Sequence, residues 1–143
     1  MAEFGIVGGA FTLLLIALLE LGWQFAVAAA LEFGVREAAL QCSAGAACTR
    51  ASVAAEIERR AVILDRTKLG ISADRYGAEA WPTEPCRFVP PGAGEVVPVV
   101  ASDLTRFCIS YRQPWLTPIG IAWSGGDGAI DHRVVALVRN EPF

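Results

Sequence analysis

Four cysteines, one histidine and a few glutamates are the residues of this 143-residue chain whose chemistry invites a functional reading. Cys42, Cys48, Cys86 and Cys108 form an even set in a small domain behind a hydrophobic N-terminal stretch, the setting in which thiols oxidise to disulfides in a non-reducing compartment. Zinc is the rival partner. Structural zinc sites draw two thiolates from a Cys-x2-4-Cys turn, whereas the closest pair here is spaced Cys-x5-Cys and the other two stand 22 residues apart, so disulfides are expected and a metal site is not. Four cysteines allow three pairings, and spacing alone does not choose among them. The pairing preferred is Cys42 with Cys48 as a short clasp and Cys86 with Cys108 between strands.

Enzymatic chemistry has little to work with. General acid–base catalysis needs convergent titratable groups, and the chain has a single histidine, His132, set in an apolar stretch where a structural role is expected. No Gly-x-Ser-x-Gly, His-Glu-x-x-His or P-loop pattern occurs. The glycines of Ser124-Gly-Gly-Asp-Gly128 lack the Lys-Ser/Thr that completes a phosphate cradle, and they read as a flexible loop. A non-enzyme with no cofactor is expected.

The glutamates lead to the elements that hold them. Residues 4 to 31 contain 21 apolar residues among 28, while the remaining sequence has an ordinary globular composition. All 12 basic residues lie at or after Arg36, where 12 acidic residues balance them, so Glu3, Glu20 and Glu32 supply the net charge of -3. A neutral domain behind an acidic apolar segment excludes a nucleic-acid binder held by a basic patch. It also excludes a disordered chain of low hydrophobicity and high charge. The 28 residues of the apolar run reach about 42 Å as a helix, more than the roughly 30 Å hydrocarbon core, so a transmembrane part over about 4–31 is expected within an N-terminal helix over 1–40. A cleaved secretory signal needs a basic start and a shorter apolar core. Within the helix Glu20 is a costly charge unless paired, and Gln24 lies one turn later on the same face; both are expected at a contact with a neighbouring subunit. Gly5 and Gly9 form a Gly-x-x-x-Gly pair suited to close helix approach.

Residues 41–143 suffice for one α+β domain. Thr49 and Ser52 are candidate N-caps of a second helix in which Val53, Ile57, Ala61 and Leu64 share a face, with Gly70 as its stop. Residues 70–94, rich in Gly and Pro, read as irregular connection around a short strand at Cys86–Val89. Strands are expected at Glu95–Ala101 and at Thr105–Arg112, where Phe107, Ile109 and Tyr111 face opposite Cys108. A last strand is expected over Ile130–Asn140, whose continuous apolar run suits a central or helix-covered position.

Three segments of the helix, Ala2-Glu3-Phe4-Gly5-Ile6-Val7, Leu18-Leu19-Glu20-Leu21-Gly22 and Val35-Arg36-Glu37-Ala38-Ala39, resemble the N-terminal helix of TadE-like minor pilins of tight adherence systems. Ile109-Ser-Tyr111, Leu116-Thr-Pro118 and the ending Val138-Arg139-Asn140-Glu141-Pro142-Phe143 are similar to the last strands and tail of that family. The resemblance implies a type IV pilin-like fold and a minor pilin or pseudopilin acting in pilus assembly. Its partners would be other pilin subunits and inner-membrane assembly proteins. Glu3 would pair with a neighbour's terminal amine, and a prepilin peptidase would process the chain, although the family's glutamate is fifth in the mature protein and here it is third. The expected location is a bacterial inner membrane, single-pass, with the C-terminal domain in the periplasm and incorporation into an extracellular pilus. The alternative reading is a membrane-tethered adhesive or ligand-binding module using Trp81, Trp115 and Trp123.

Overall fold

The computed structural model describes residues 2–44, 48–77, 81–93, 103–124 and 128–139, with the backbone alone at positions 2–6, 119 and 123. A single unbroken helix, α1, runs over Ala2–Ser43. It has no proline, and its Ala- and Leu-rich composition carries strong helix propensity. The Ser43 hydroxyl donates to the Leu40 carbonyl in its last turn, and the Cys42–Cys48 disulfide then ties the chain back, with Cα atoms 5.3 Å apart. The second helix, α2, spans Arg50–Arg60. Thr49 caps it: its hydroxyl accepts from Ser52 N–H at 3.2 Å, and Ser52 Oγ accepts from Thr49 N–H at 2.9 Å, a reciprocal capping box.

The expected extension of α2 toward Gly70 does not occur. Ala61 leaves helical geometry at φ -121° and ψ 74°, yet Ala61 and Leu64 remain buried because the chain turns against the core there. After a 3-10 turn at Arg66–Lys68, capped by Asp65, comes strand β1 over Leu69–Tyr76, a segment the sequence pattern assigns to irregular connection. Strand β2 covers Leu104–Pro114, the short helix α3 Pro118–Trp123, and β3 Ala129–Arg139. The strands form an antiparallel sheet in the order β1-β2-β3. The fold is therefore α+β, with a long apolar helix, a second helix and a small three-stranded sheet.

Register sorts the side chains. Ile71 opposes Ile109 and Ala73 opposes Phe107 across the first ladder; Ile109 opposes Val134 and Phe107 opposes Ala136 across the second. This face packs on Val27, Leu31, Val35 and Ala38 of α1 and on Val53 and Ile57 of α2. The spacing of four, four and three along α1 is one helical stripe, and each fully buried aliphatic there contributes about 1.5–3 kcal/mol. Gly34 lets α2 approach closely, since a Cβ there would stand 3.2 Å from Ile57 Cγ2. Because β1 and β2 are covered on the other face as well, the first five residues of β1 are all buried.

That second cover is residues 84–90, which cross the sheet without becoming a strand. Where a strand at Cys86–Val89 was expected, side chains supply the attachment: the Ser72 and Ser110 hydroxyls donate to the carbonyls of Arg87 and Val89, and Cys86 is bonded to Cys108. Gly70 is required beneath this strap, because a Cβ there would lie 2.1 Å from the Val89 carbonyl oxygen. The last strand is an edge of the described sheet rather than a central strand. Helix α1 covers one of its faces, while Val135 and Leu137 are exposed on the other. The expected strand at Glu95–Ala101 and the ending 140–143 lie outside the described residues.

Candidate functional site

Two parts of α1 have different surroundings. From Val7 to Leu15, and again at Leu18 and Leu19, the residues are exposed and, apart from Thr12, whose hydroxyl donates to the Gly8 carbonyl, without a polar side chain; Leu19 is 74% exposed. From Glu20 onward one face of the same helix enters the domain core, with Val27 and Leu31 wholly buried. By length and composition α1 is suited to cross a membrane. The stripe over 24–31 that hydropathy alone assigns to the span is nevertheless packed beneath the sheet.

The boundary between the two parts is a polar seam. Glu20 is 5% exposed, and its Oε1 accepts a hydrogen bond from the Leu116 backbone N–H at 2.6 Å. One turn on, His132 Nε2 lies 3.0 Å from Gln24 Oε1, the geometry of an Nε2–H donating to the amide oxygen. Glu20 and Gln24, expected to face a neighbouring subunit, instead lock α1 to its own domain. The reason is position: β2 and β3 are joined at this level, and the joining segment brings a free backbone N–H against the helix. Burial lowers the pKa of His132, partly offset by the adjacent Asp131 carboxylate, which favours the neutral imidazole. Glu20 Oε2, Gln24 Nε2, Trp23 Nε1 and Trp115 Nε1 have no hydrogen-bond partner, which makes the seam the least satisfied part of the buried polar surface among the described residues.

The segment pressed on the seam is ordered by its own sequence. Thr117 accepts a hydrogen bond from Gly120 N–H, Pro118 occupies the first turn, and α3 follows. Gly120 is not there for flexibility. A Cβ on it would stand 2.6 Å from Trp115 Cε3, so the indole rests directly on the helical backbone. The pair Thr117-Pro118 was a legible helix start inside what reads as a flexible excursion.

The remaining expected residues are dispersed. Trp81 is 70% exposed on the chain leading into the strap, three residues before Glu84, whose carbonyl accepts from the Arg106 guanidinium, which also donates to Asp74 Oδ2. Trp115 follows the end of β2 and lines the crevice beside Glu20 and Gly120. The Trp123 side chain lies outside the described residues, as do those of Glu3 and Gly5. Around Gly9, and equally around Gly8, the space a Cβ would occupy is open. Both disulfides have the expected pairing.

Sequence reasoning missed Arg106, a nearly buried guanidinium that also stacks on Tyr76 at 5.2 Å, because its partners come from segments without regular period. On the opposite surface the Arg59 guanidinium, with Arg60 beside it, holds the Glu56 carboxyl below the ordinary carboxylate range, and Arg60 also reaches Glu37 of α1. A groove of about 560 Å³ lies between α1 and β3, lined by residues that include Phe25, Glu32, His132 and Val134. Its three ionisable side chains are already engaged, Glu32 with Arg36, His132 with Gln24 and Arg133 over the Phe88 ring. Among the described residues no group of three or more His, Cys, Asp or Glu side chains is placed to hold a metal. Compared with known proteins, the chain matches no family model, no curated protein and no solved structure.

Proposed function

We propose that this chain is a membrane-anchored assembly subunit, a minor pilin or pseudopilin of the TadE-like kind, that joins other pilin subunits through the first half of α1. The observation carrying this reading is the division of one unbroken helix: its second half is the spine of an α+β domain, and residues 7–15, 18 and 19 project an apolar surface that the domain does not cover. Such a surface exchanges lipid for protein contacts at little cost, since helix association in a bilayer is driven by packing rather than by the hydrophobic effect. The open space at Gly8 and Gly9 admits a neighbouring helix backbone. Glu3, in the first turn, offers a carboxylate to a neighbour's terminal amine. The two disulfides favour an oxidising location for the domain, hence a periplasmic face of a single-pass inner-membrane protein.

The test is fractionation of cells that assemble the corresponding filament. The chain is expected in the sheared filament fraction, and Glu3→Ala is expected to lower that amount while leaving both disulfides formed. Retention wholly in the membrane, with filaments unaffected by Glu3→Ala, overturns the proposal. A tethered adhesive module is favoured by one observation, the exposure of Trp81. Loss of surface attachment in Trp81→Ala, with filaments intact, selects it.

A further inference from the structure

We infer that the β2–β3 connection, Trp115 to Ser124, is a membrane-seated element: Leu116 and Ile121 enter the interfacial region of the same bilayer that α1 crosses. The inference rests on the reading of α1 as a span and adds a second point of contact.

Length requires it. The uncharged run bounded by Glu3 and Glu20 is sixteen residues, about 24 Å of helix, against a hydrocarbon core of roughly 30 Å. A span confined to that run falls about 6 Å short. Continuing past the inward-turned Glu20 to Phe25 brings the helical length to about 33 Å, enough to cross. At that depth, however, the helix is no longer alone. Glu20 is bonded to the backbone of Leu116, while Ile16, Ala17 and Leu21 line the same small crevice as Trp115, Thr117 and Gly120. A bilayer that reaches Phe25 therefore also reaches the connection.

The chemistry of the connection fits immersion. Leu116 is 61% and Ile121 45% exposed, and their chain neighbours Trp115, Thr117 and Gly120 line one crevice with Leu21 of α1, so the apolar surface of the helix continues onto the domain. Asp127 is the one charged residue in the sequence between Gln113 and Ile130. Glu20, the charge that would oppose immersion on the helix side, is turned inward and accepts the Leu116 N–H. Cations stand where headgroups would be: the 3-10 turn bearing Arg66 and Lys68 packs beside Tyr111, three residues or about 10 Å up β2 from Pro114. An indole at the same level, Trp115, matches the preference of tryptophan for the membrane interface.

The full chain, reconstituted in vesicles of phosphatidylethanolamine and phosphatidylglycerol, tests this with a benzophenone amino acid placed singly at Leu116, Ile121, Phe11 or Leu137. Both disulfides are verified in each variant by non-reducing gel shift. Lipid adducts are expected at Phe11, Leu116 and Ile121, with at least a tenfold lower yield at Leu137 on the outer sheet face. Adducts at Phe11 without adducts at Leu116 and Ile121 overturn the inference and leave the span intact. Adducts at none of the four sites overturn the span and the inference together. Crosslinks from Leu116 or Ile121 to a second copy, in place of lipid, also overturn it and assign the surface to a protein contact.

Discussion

Replacing Glu20 by alanine and by glutamine separates a residue that holds its own domain from one that carries charge to a neighbour. In the folded chain Glu20 Oε1 accepts the Leu116 N–H at 2.6 Å, and the carboxyl is almost wholly buried. Alanine removes the acceptor and leaves that N–H facing the helix, a loss of about 1.5–3 kcal/mol for a hydrogen bond to a charged group. Part of this is recovered, because the second oxygen has no partner and its desolvation cost disappears too. A net loss of about 2 kcal/mol follows. Glutamine keeps an oxygen at the same reach but gives up the charge, so Glu20→Gln should lose about 1 kcal/mol or less, clearly below the alanine loss. The assay is hydrogen exchange at the Leu116 amide in mild detergent, where 2 kcal/mol reads as about 30-fold faster exchange in Glu20→Ala. Unchanged Leu116 protection in Glu20→Ala refutes the seam as an anchoring contact. An equal loss in Glu20→Gln also refutes it, since charge rather than the acceptor would then be what matters.

Gly70→Ala places a Cβ 2.1 Å from the Val89 carbonyl oxygen, so the strap must lift; a loss of about 2–3 kcal/mol is expected in chemical denaturation, and a midpoint equal to the parent's counts against the close approach. Serine at Cys86 and Cys108 should cost about 3.4 kcal/mol and serine at Cys42 and Cys48 about 2.2 kcal/mol, because the first pair closes a separation of 22 residues and the second one of 6; the reverse order in thermal melts contradicts that reasoning. His132 has a lowered pKa in the folded chain, so the unfolded chain binds more protons as the pH falls, and the stability present above about pH 6.5 is lost as the pH drops through the folded pKa. His132→Gln should remove that part of the pH dependence, and a parent-like slope between about pH 5 and 7 excludes His132 as its source.

Much of the architecture is legible in the residues, and the exceptions have physical causes. The long helix follows from composition, α2 from Thr49 and Ser52, and β2 from the alternation of Phe107, Ile109 and Tyr111 against Cys108. The end of α2 misleads because Ala61 and Leu64 keep helical spacing although the backbone has already turned; burial alone does not reveal geometry. Strand β1 is hidden for the opposite reason. Covered by helices on one face and the strap on the other, Leu69-Gly-Ile-Ser-Ala is buried on both sides with small residues where a solvent-facing strand would place charged ones, and Gly70 resembles a helix stop when it is a contact point for a carbonyl. The seam is the sharpest case. Glu20 and Gln24 are conspicuous in an apolar helix, but their partners, a backbone N–H at Leu116 and a histidine 108 residues from Gln24, are set by topology that no local window contains.

The absence of a break in α1 between its uncovered half and its buried half has a mechanical consequence. A hinge would let the domain swivel and would isolate it from forces on the tail, whereas this helix transmits axial tension straight into the core. Its buried stripe from Val27 to Ala38 runs along β3, so a pull directed along the helix loads these contacts side by side, as shear, instead of peeling them one at a time. The strap is bonded through Cys86 to the middle strand and adds a covalent tie on the far face of the sheet. A pull along α1 is therefore carried by many buried contacts at once rather than by one.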